Sequence, residues 1–486
     1  MIKIDFLRMR SLLRISLIIT IFISSSMALC AVTASDASWA PKPDNLLLTN
    51  TISQYGITWK FDREAHVGQF VNGDYYVVGP VTVVEIIPKP ENGRNGSCLN
   101  VSAVDKIGFD DRIPHGRYDS SLFLKPPIKL RPGDTLLSSI SLQETHTMTP
   151  MLWRIGKNLV TPVQTVAALT CLSAPVPPDA FRPAYAKGEK TIYLARNLRR
   201  ALLPRLPLVE QTPSLNEWER IFQRPWIDVV LDQFGAPLEN MPAYGREFAR
   251  AVGVGSLLLC LNFEDVEKEK LLINFVQIGI DMWGLAGQGF QPATWNALGG
   301  HANGRKWPII FAGIMLGVTA MQQPEKKYRY LRFSEDTQTM FDRCWTGAKV
   351  VYAGHVGKNG LKHHDGWGAY EHLPPEQWKN DIGESYRRCC TSNAWVGEAL
   401  AARLLHAEQL WDHDAFFIYV DRWMTEDDTK ALDAIKKARG SDYNKVWAMQ
   451  GSVWDPFVKK MWIKYRNNLP PAPDGHTDPK AYETWK

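Results

Sequence analysis

The chain has no dense run of Lys or Arg, and its formal net charge over 486 residues is only +5. That argues against a dedicated nucleic-acid binder, which carries a concentrated basic footprint. No nucleic-acid partner is expected. Past the N-terminus no segment is apolar for long enough to span a bilayer, so no stable membrane insertion is expected either. Cysteine is scarce, with seven in all, and Cys30 falls in the N-terminal leader. Cys98, Cys171, Cys260, Cys344, Cys389 and Cys390 show no framework spacing and no CxxC pair. Buried free thiols are the expectation, with room for one or two disulfides in an oxidising compartment. The adjacent Cys389 and Cys390 are not expected to bond each other. A Walker loop, a dinucleotide fingerprint, a GxSxG elbow and an HExxH metal signature are also missing. No cofactor and no metal are called for.

What the chain does have begins with a leader. Lys3, Arg8, Arg10 and Arg14 precede the mostly apolar Ile15–Ile23, followed by the small-residue stretches Ser26-Met27-Ala28 and Val32-Thr33-Ala34. This reads as a cleaved signal peptide over residues 1–34. Leu29 is too large for a lipoprotein box before Cys30. A periplasmic or secreted protein is expected. Hydrophobic content of 45% and charged content of 22% fit an ordinary globular chain. Eighteen Trp and 16 Tyr are more than usual. Core packing accounts for most of them, and a carbohydrate groove would use the remainder.

Two characters divide the rest. Ile57, Trp59 and Phe61 alternate with Thr58 and Lys60, a strand signature. Asn72-Gly73-Asp74, Gly79-Pro80 and Arg131-Pro132-Gly133-Asp134 punctuate further strand-like runs. Residues 35–205 therefore read as a β-rich, loop-rich region. From 206 to 465 helical stripes take over: Leu271, Leu272, Phe275, Val276, Gly279, Met282 and Trp283 form one, and Leu400, Leu404, Ala407 and Trp411 another. Pro308 suits the first turn of a helix, and Phe341–Val351 is expected to be helical. Helices separated by polar, glycine-rich loops suit a mainly α, (α/α) toroid architecture. Residues 466–486 read as an extended tail.

Three segments carry candidate chemistry. Trp295-Asn296-Ala297-Leu298-Gly299-Gly300-His301-Ala302-Asn303-Gly304-Arg305-Lys306 sets an imidazole, two carboxamides and two cations in a glycine-rich turn. A site for an acidic sugar wants those groups: Arg305 and Lys306 for carboxylates, Asn296 or Asn303 as amide donors, Trp295 for a sugar face. His301 is a base or a hydrogen-bond donor. The bland alternative is a helix-capping turn with a solvated Arg-Lys pair. Gly383-Glu384-Ser385-Tyr386-Arg387-Arg388 places a tyrosine before two arginines, which lower the cost of a phenolate. The alternative there is a helix whose arginines pair with Glu384 or Glu398. His363-His364-Asp365-Gly366-Trp367-Gly368-Ala369-Tyr370-Glu371-His372 matches no metalloenzyme spacing. It reads as a substrate-facing, glycine-hinged lid, with Trp367 as stacking platform and Tyr370 or His372 as catalytic group. Tyr244-Gly245-Arg246 is a rim element.

With those residues together, the chain resembles bacterial polyuronate lyases with an (α/α) toroid, and polysaccharide lyase family 38 in particular, whose members cleave alginate or glucuronan. The resemblance runs from about Tyr55 to Trp411. It rests on Gly68-Gln69-Phe70-Val71-Asn72-Gly73-Asp74-Tyr75-Tyr76-Val77-Val78-Gly79, on Gly300-His301 with Gly304-Arg305-Lys306, on Tyr370-Glu371-His372-Leu373 and on Tyr386-Arg387-Arg388. It implies β-elimination on an anionic polysaccharide. Cations and amides neutralise the uronate carboxylate, a base takes the C5 proton, and an acid protonates the departing O4. His301 would neutralise the carboxylate or act as base. Tyr386 or Tyr370 would protonate O4. Arg387 and Arg305 would hold carboxylates with Asn296 assisting, and Lys306, Asn303, His372 and Arg388 would line subsites. Two other readings stand beside it: a toroid glycoside hydrolase with paired carboxylates among Asp365, Glu371, Asp381 and Glu384, and a non-catalytic glycan-binding envelope protein.

Overall fold

A computed structural model describes residues 46–103, 106–143, 161–229, 235–288, 295–354, 370–441, 449–473 and 484–485. Residues 1–34, read above as a signal peptide, and most of the segment 354–368, Trp367 included, lie outside them. The described residues belong to one unit, Pro41–Lys486.

Strands come first in the chain: β1 (Leu47–Gln54), β2 (Ile57–Gln69), β3 (Tyr75–Val78), β4 (Val81–Ile87), β5 (Ser97–Leu99), β6 (Ile128–Leu130), β7 (Thr135–Ser141) and β8 (Val163–Leu172). β1 and β2 form a hairpin closed by Tyr55 and Gly56, both at positive φ, with Gln54 opposite Ile57. That is the two-residue turn whose twist matches the strands it joins. The strands make one sheet in the order β5-β7-β8-β3-β2-β4-β6, with β1 added to β2. All its pairings are antiparallel except β3 with β8. The alternation read in the sequence is realised in β2, where Ile57, Trp59 and Phe61 are buried and Thr58 and Lys60 are not.

The sheet curls around its own core. Trp59, Phe61, Val83, Leu136, Ala167 and Leu169 pack inside the curl, while Leu137, Val166 and Ala168 face the helices. β8 is thus covered on both faces, which is why Val163–Leu172 is almost continuously apolar. Inside the curl the Trp59 indole donates to Ser138 Oγ at 2.9 Å.

The helical part begins with α1 (Leu215–Phe222), α2 (Gly245–Leu259), α3 (Asp265–Ala286) and α4 (Lys306–Leu316). α3 starts at a capping box, in which the Glu267 carboxylate accepts the Glu264 N–H at 2.9 Å. Its predicted stripe is real, but the helix is buried on nearly every side. Arg182, fully buried, ties sheet to helices. It donates to Asp74 at the head of β3 at 2.5 Å and to both oxygens of Asp281 in α3 at 2.9 and 2.5 Å.

Three expectations need correcting. The chain is not a mainly α toroid: it is 38% helical and 20% strand, with a large curled mixed sheet. The physical reason lies in the helices. α3, α4 and Ser392–Leu404 are buried nearly all round, and between Thr319 and Thr337 the helices last only four residues. Such pieces cannot supply the amphipathic hairpins that close a ring. Second, Phe341–Val351 is no helix. Thr339–Phe341 pairs antiparallel with Val350–Tyr352 around a turn in which Gly347 has φ +101°. Third, the stripe from Leu400 to Trp411 is interrupted at His406, whose φ is +51°, and Trp411 belongs to a separate short helix.

Candidate functional site

The glycine-rich turn and the Tyr-Arg-Arg segment meet at the start of α2. Gly245 opens that helix so close to the turn that a Cβ there would lie 1.8 Å from the Gly300 carbonyl oxygen. A Cβ on Gly300 would in turn meet the Cys390 carbonyl at 2.6 Å and the Tyr244 hydroxyl at 2.8 Å. Three backbones therefore converge only because neither position carries a side chain. Tyr244 accepts the Gly300 N–H at 3.1 Å, and its ring meets His301 edge-on with centroids 4.9 Å apart. Burial raises the Tyr244 phenol above its ordinary range, and the nearby Tyr386 adds to that. Burial also raises Tyr386, so its proton is held firmly at neutral pH. His301 and Tyr386 are half-buried and reach solvent, whereas Tyr244 is buried.

The other predicted residues have different surroundings. Trp295 is fully buried: its indole donates to Asp228 at 2.8 Å and stacks on Phe333. Arg305 grips both oxygens of Asp228 at 3.0 and 2.7 Å and donates to the carbonyls of His301 and Asn303. Its guanidinium therefore braces the turn from behind. Lys306 is buried between Glu325, at 2.6 Å, and Asp336. Asn303 is buried too, donating to the Cys390 carbonyl at 2.9 Å and accepting from Ser334. Asn296 is buried at the start of the turn. Arg387 donates to Tyr419 at 2.9 Å, Gln450 at 2.8 Å and Glu384 at 3.1 Å. Arg388 pairs with Glu384 at 2.5 Å and Asp428 at 2.8 Å. The two arginines hold the Glu384 carboxyl down to about 2. Tyr370 is buried, donates to Glu384, and is raised well above the phenol range by that burial. It belongs to this ion network and not to the His301 cluster. His372 is exposed.

One bond was not foreseen. Cys389 and Cys390 form a disulfide with each other. They sit in a π-helical turn, Arg387–Thr391. Cys98, Cys171, Cys260 and Cys344 are buried free thiols, as expected. Arg246, read only as a rim residue, reaches the cluster. It donates to the Cys389 carbonyl at 3.1 Å, lies 3.6 Å from the Trp454 ring centroid and pairs with Glu247. The sequence signal for it was its place two residues after Tyr244.

Behind the turn lies a carboxyl pair. Glu335 accepts the Gly304 N–H at 2.6 Å and faces Glu398, both fully buried. Among the described residues no N–H or hydroxyl donor meets Glu335 Oε2 or either oxygen of Glu398. A proton held between them supplies the missing bond. Burial first, then the neighbouring acids, push Glu335 up to about 7 and Glu398 well above the usual carboxylate range. Raised acids favour the folded state at low pH. The stabilisation is complete below the unfolded value near 4.5 and is lost as pH climbs to about 7. Urea melts should therefore show stability falling as pH rises from 5 to 8. Glu398→Gln should flatten that slope, and parallel slopes for the two proteins would contradict the assignment.

No protein-family model matches the chain, nor does any curated protein or solved structure. The resemblance to polyuronate lyases thus rests on the sequence motifs alone.

Proposed function

We propose that the protein is an exported polysaccharide lyase that cleaves a 1,4-linked polyuronate, such as alginate or glucuronan, by β-elimination. The observation that carries this reading is the meeting of His301, Tyr244 and Tyr386 at one partly open surface. The chemistry needs one group to take a proton and another to give one. An imidazole is the side chain best suited to accept a proton near neutral pH, so His301 takes the C5 proton. The Tyr386 phenol, kept protonated by burial, delivers a proton to the departing O4. Tyr244 orients the imidazole. Asn296, five residues before His301 in the same turn, donates to the uronate carboxylate and stabilises the charge that builds there on proton removal.

The hydrolase reading asks for two opposed, unengaged carboxyls. Of the three described acids it named, Glu371 is held by Arg422 at 2.8 and 3.0 Å and Glu384 by Arg387 and Arg388, which leaves half-buried Asp381 without one of these as its opposed carboxyl. Neither Glu371 nor Glu384 can serve as acid or nucleophile without breaking a buried ion pair.

The test is incubation with alginate, glucuronan and other uronans, monitored for ultraviolet absorbance from a new C4–C5 double bond. Absorbance rising on at least one uronan is the expected result. New saturated reducing ends without absorbance would replace the reading with hydrolysis. Binding without chain shortening would replace it with a glycan-binding role.

A further inference from the structure

A disulfide between chain neighbours closes almost no loop. The stabilisation a disulfide draws from restricting the unfolded chain grows with the loop it closes, so here it is near its minimum. Nor does the bond staple one element to another. Its effect is local, on the backbone of Cys389 and Cys390, and the carbonyls of these two residues are where the walls of the site are attached. The Cys389 carbonyl accepts from Arg246, two residues into the chain from Tyr244. The Cys390 carbonyl accepts from Asn303, two residues beyond His301, and Gly300 abuts the same carbonyl. Tyr386 immediately precedes the π-helical turn that carries the pair, and the Thr391 hydroxyl caps its carbonyl at 3.1 Å. Cys389 is half-buried, so a small reductant can reach it, while Cys390 is buried.

We propose that the Cys389–Cys390 disulfide is a positioning element of the His301–Tyr244–Tyr386 cluster: it fixes the directions of the two carbonyls that hold Arg246 and the His301 turn, and reduction to the dithiol loosens that cluster. The placement is independent of the uronate chemistry, whereas its effect on turnover rests on the lyase reading. A dithiol such as dithiothreitol supplies two electrons and two protons. The S–S bond breaks, two thiols form, and the reductant closes to its own cyclic disulfide.

The full-length protein is compared before reduction, after dithiothreitol, and after reoxidation, with Cys389→Ser/Cys390→Ser as a second probe. Alkylation and peptide mass report the state of the pair. Diethyl pyrocarbonate modification of His301, followed on its peptide, reports the position of the turn without any substrate. Turnover on a uronan is the third reading. In the untreated protein neither cysteine should alkylate. Reduction should speed His301 modification several-fold and lower kcat about tenfold or more, with KM changed less and the melting temperature nearly unchanged. Reoxidation should reverse both effects. Two alkylated thiols in the untreated protein would overturn the proposal, as would His301 reactivity indifferent to reduction. If no uronan is cleaved, the lyase reading fails while the mass and His301 measurements still decide this one.

Discussion

Tyr386→Phe is expected to lower uronan turnover by a factor of 100 to 10,000, the range over which removal of a positioned general acid acts, given as ~10²–10⁴. The change deletes one oxygen from a half-buried ring that heads the π-helical turn. Folding should barely register it, so the loss should appear in kcat with the melting curve intact. Tyr370→Phe provides the contrast. That phenol is buried and donates to Glu384. Its removal leaves a carboxylate oxygen short of a donor and should cost about 1–3 kcal/mol of stability, with kcat unchanged at temperatures where the variant is folded. The two tyrosines thus separate on different axes, one kinetic and one thermodynamic. A collapse of kcat in Tyr370→Phe, with Tyr386→Phe fully active, would reverse the assignment.

Arg182→Met should be the most damaging single change to the fold. The methionine fills similar volume, but Asp74 and Asp281 are left fully buried with their cation gone. Breaking a buried pair in this way costs ~3–5 kcal/mol. The penalty carries its own pH signature. Burial already raises the Asp281 carboxyl against the pull of Arg182; without Arg182 that acid must take up a proton to stay inside. The variant should therefore lose more stability at pH 8 than at pH 5, as read from urea melts. Neutralising all three, as Asp74→Asn/Arg182→Met/Asp281→Asn, should recover part of the loss. A single variant as stable as the parent at both pH values would show that the triad is not what joins sheet to helices.

These cases show what the sequence could and could not reveal. β2 was legible because one face is buried and the other wet, so its period of two survives in the residues. The α3 stripe was legible for the same reason in helical form, although burial on all sides blurred its width. The hairpin at Thr339–Tyr352 was misread because its signal is local and small: Gly347 at a turn, then Val350, Val351 and Tyr352. The toroid failed on a different ground. Helix content was inferred from stripes, but how short helices stack depends on contacts that a stripe does not encode.

At the candidate site the residue types were readable and their directions were not. Arg305 turns away from solvent because Asp228, far off in sequence, waits behind it. Arg387 and Arg388 turn inward toward Glu384, as the ion-pair alternative anticipated. Tyr244 could not be joined to His301 in advance, because the link is a ring contact across two loops. The Cys389–Cys390 bond was discounted because the two cysteines are chain neighbours, and the π-helical turn that carries them was not foreseen.

The strand pair Ile192–Tyr193 with Thr484–Trp485 has a consequence for how the molecule is made. Its two partners are separated by the whole helical part of the chain. During synthesis the earlier strand emerges long before the later one exists. That edge must wait, open, until residues 484–485 are delivered, and closing so distant a contact is a slow step. Among the described strand pairings this one joins residues nearly 300 positions apart, so a chaperone meeting the unfinished fold would find the edge at Ile192–Tyr193 still open.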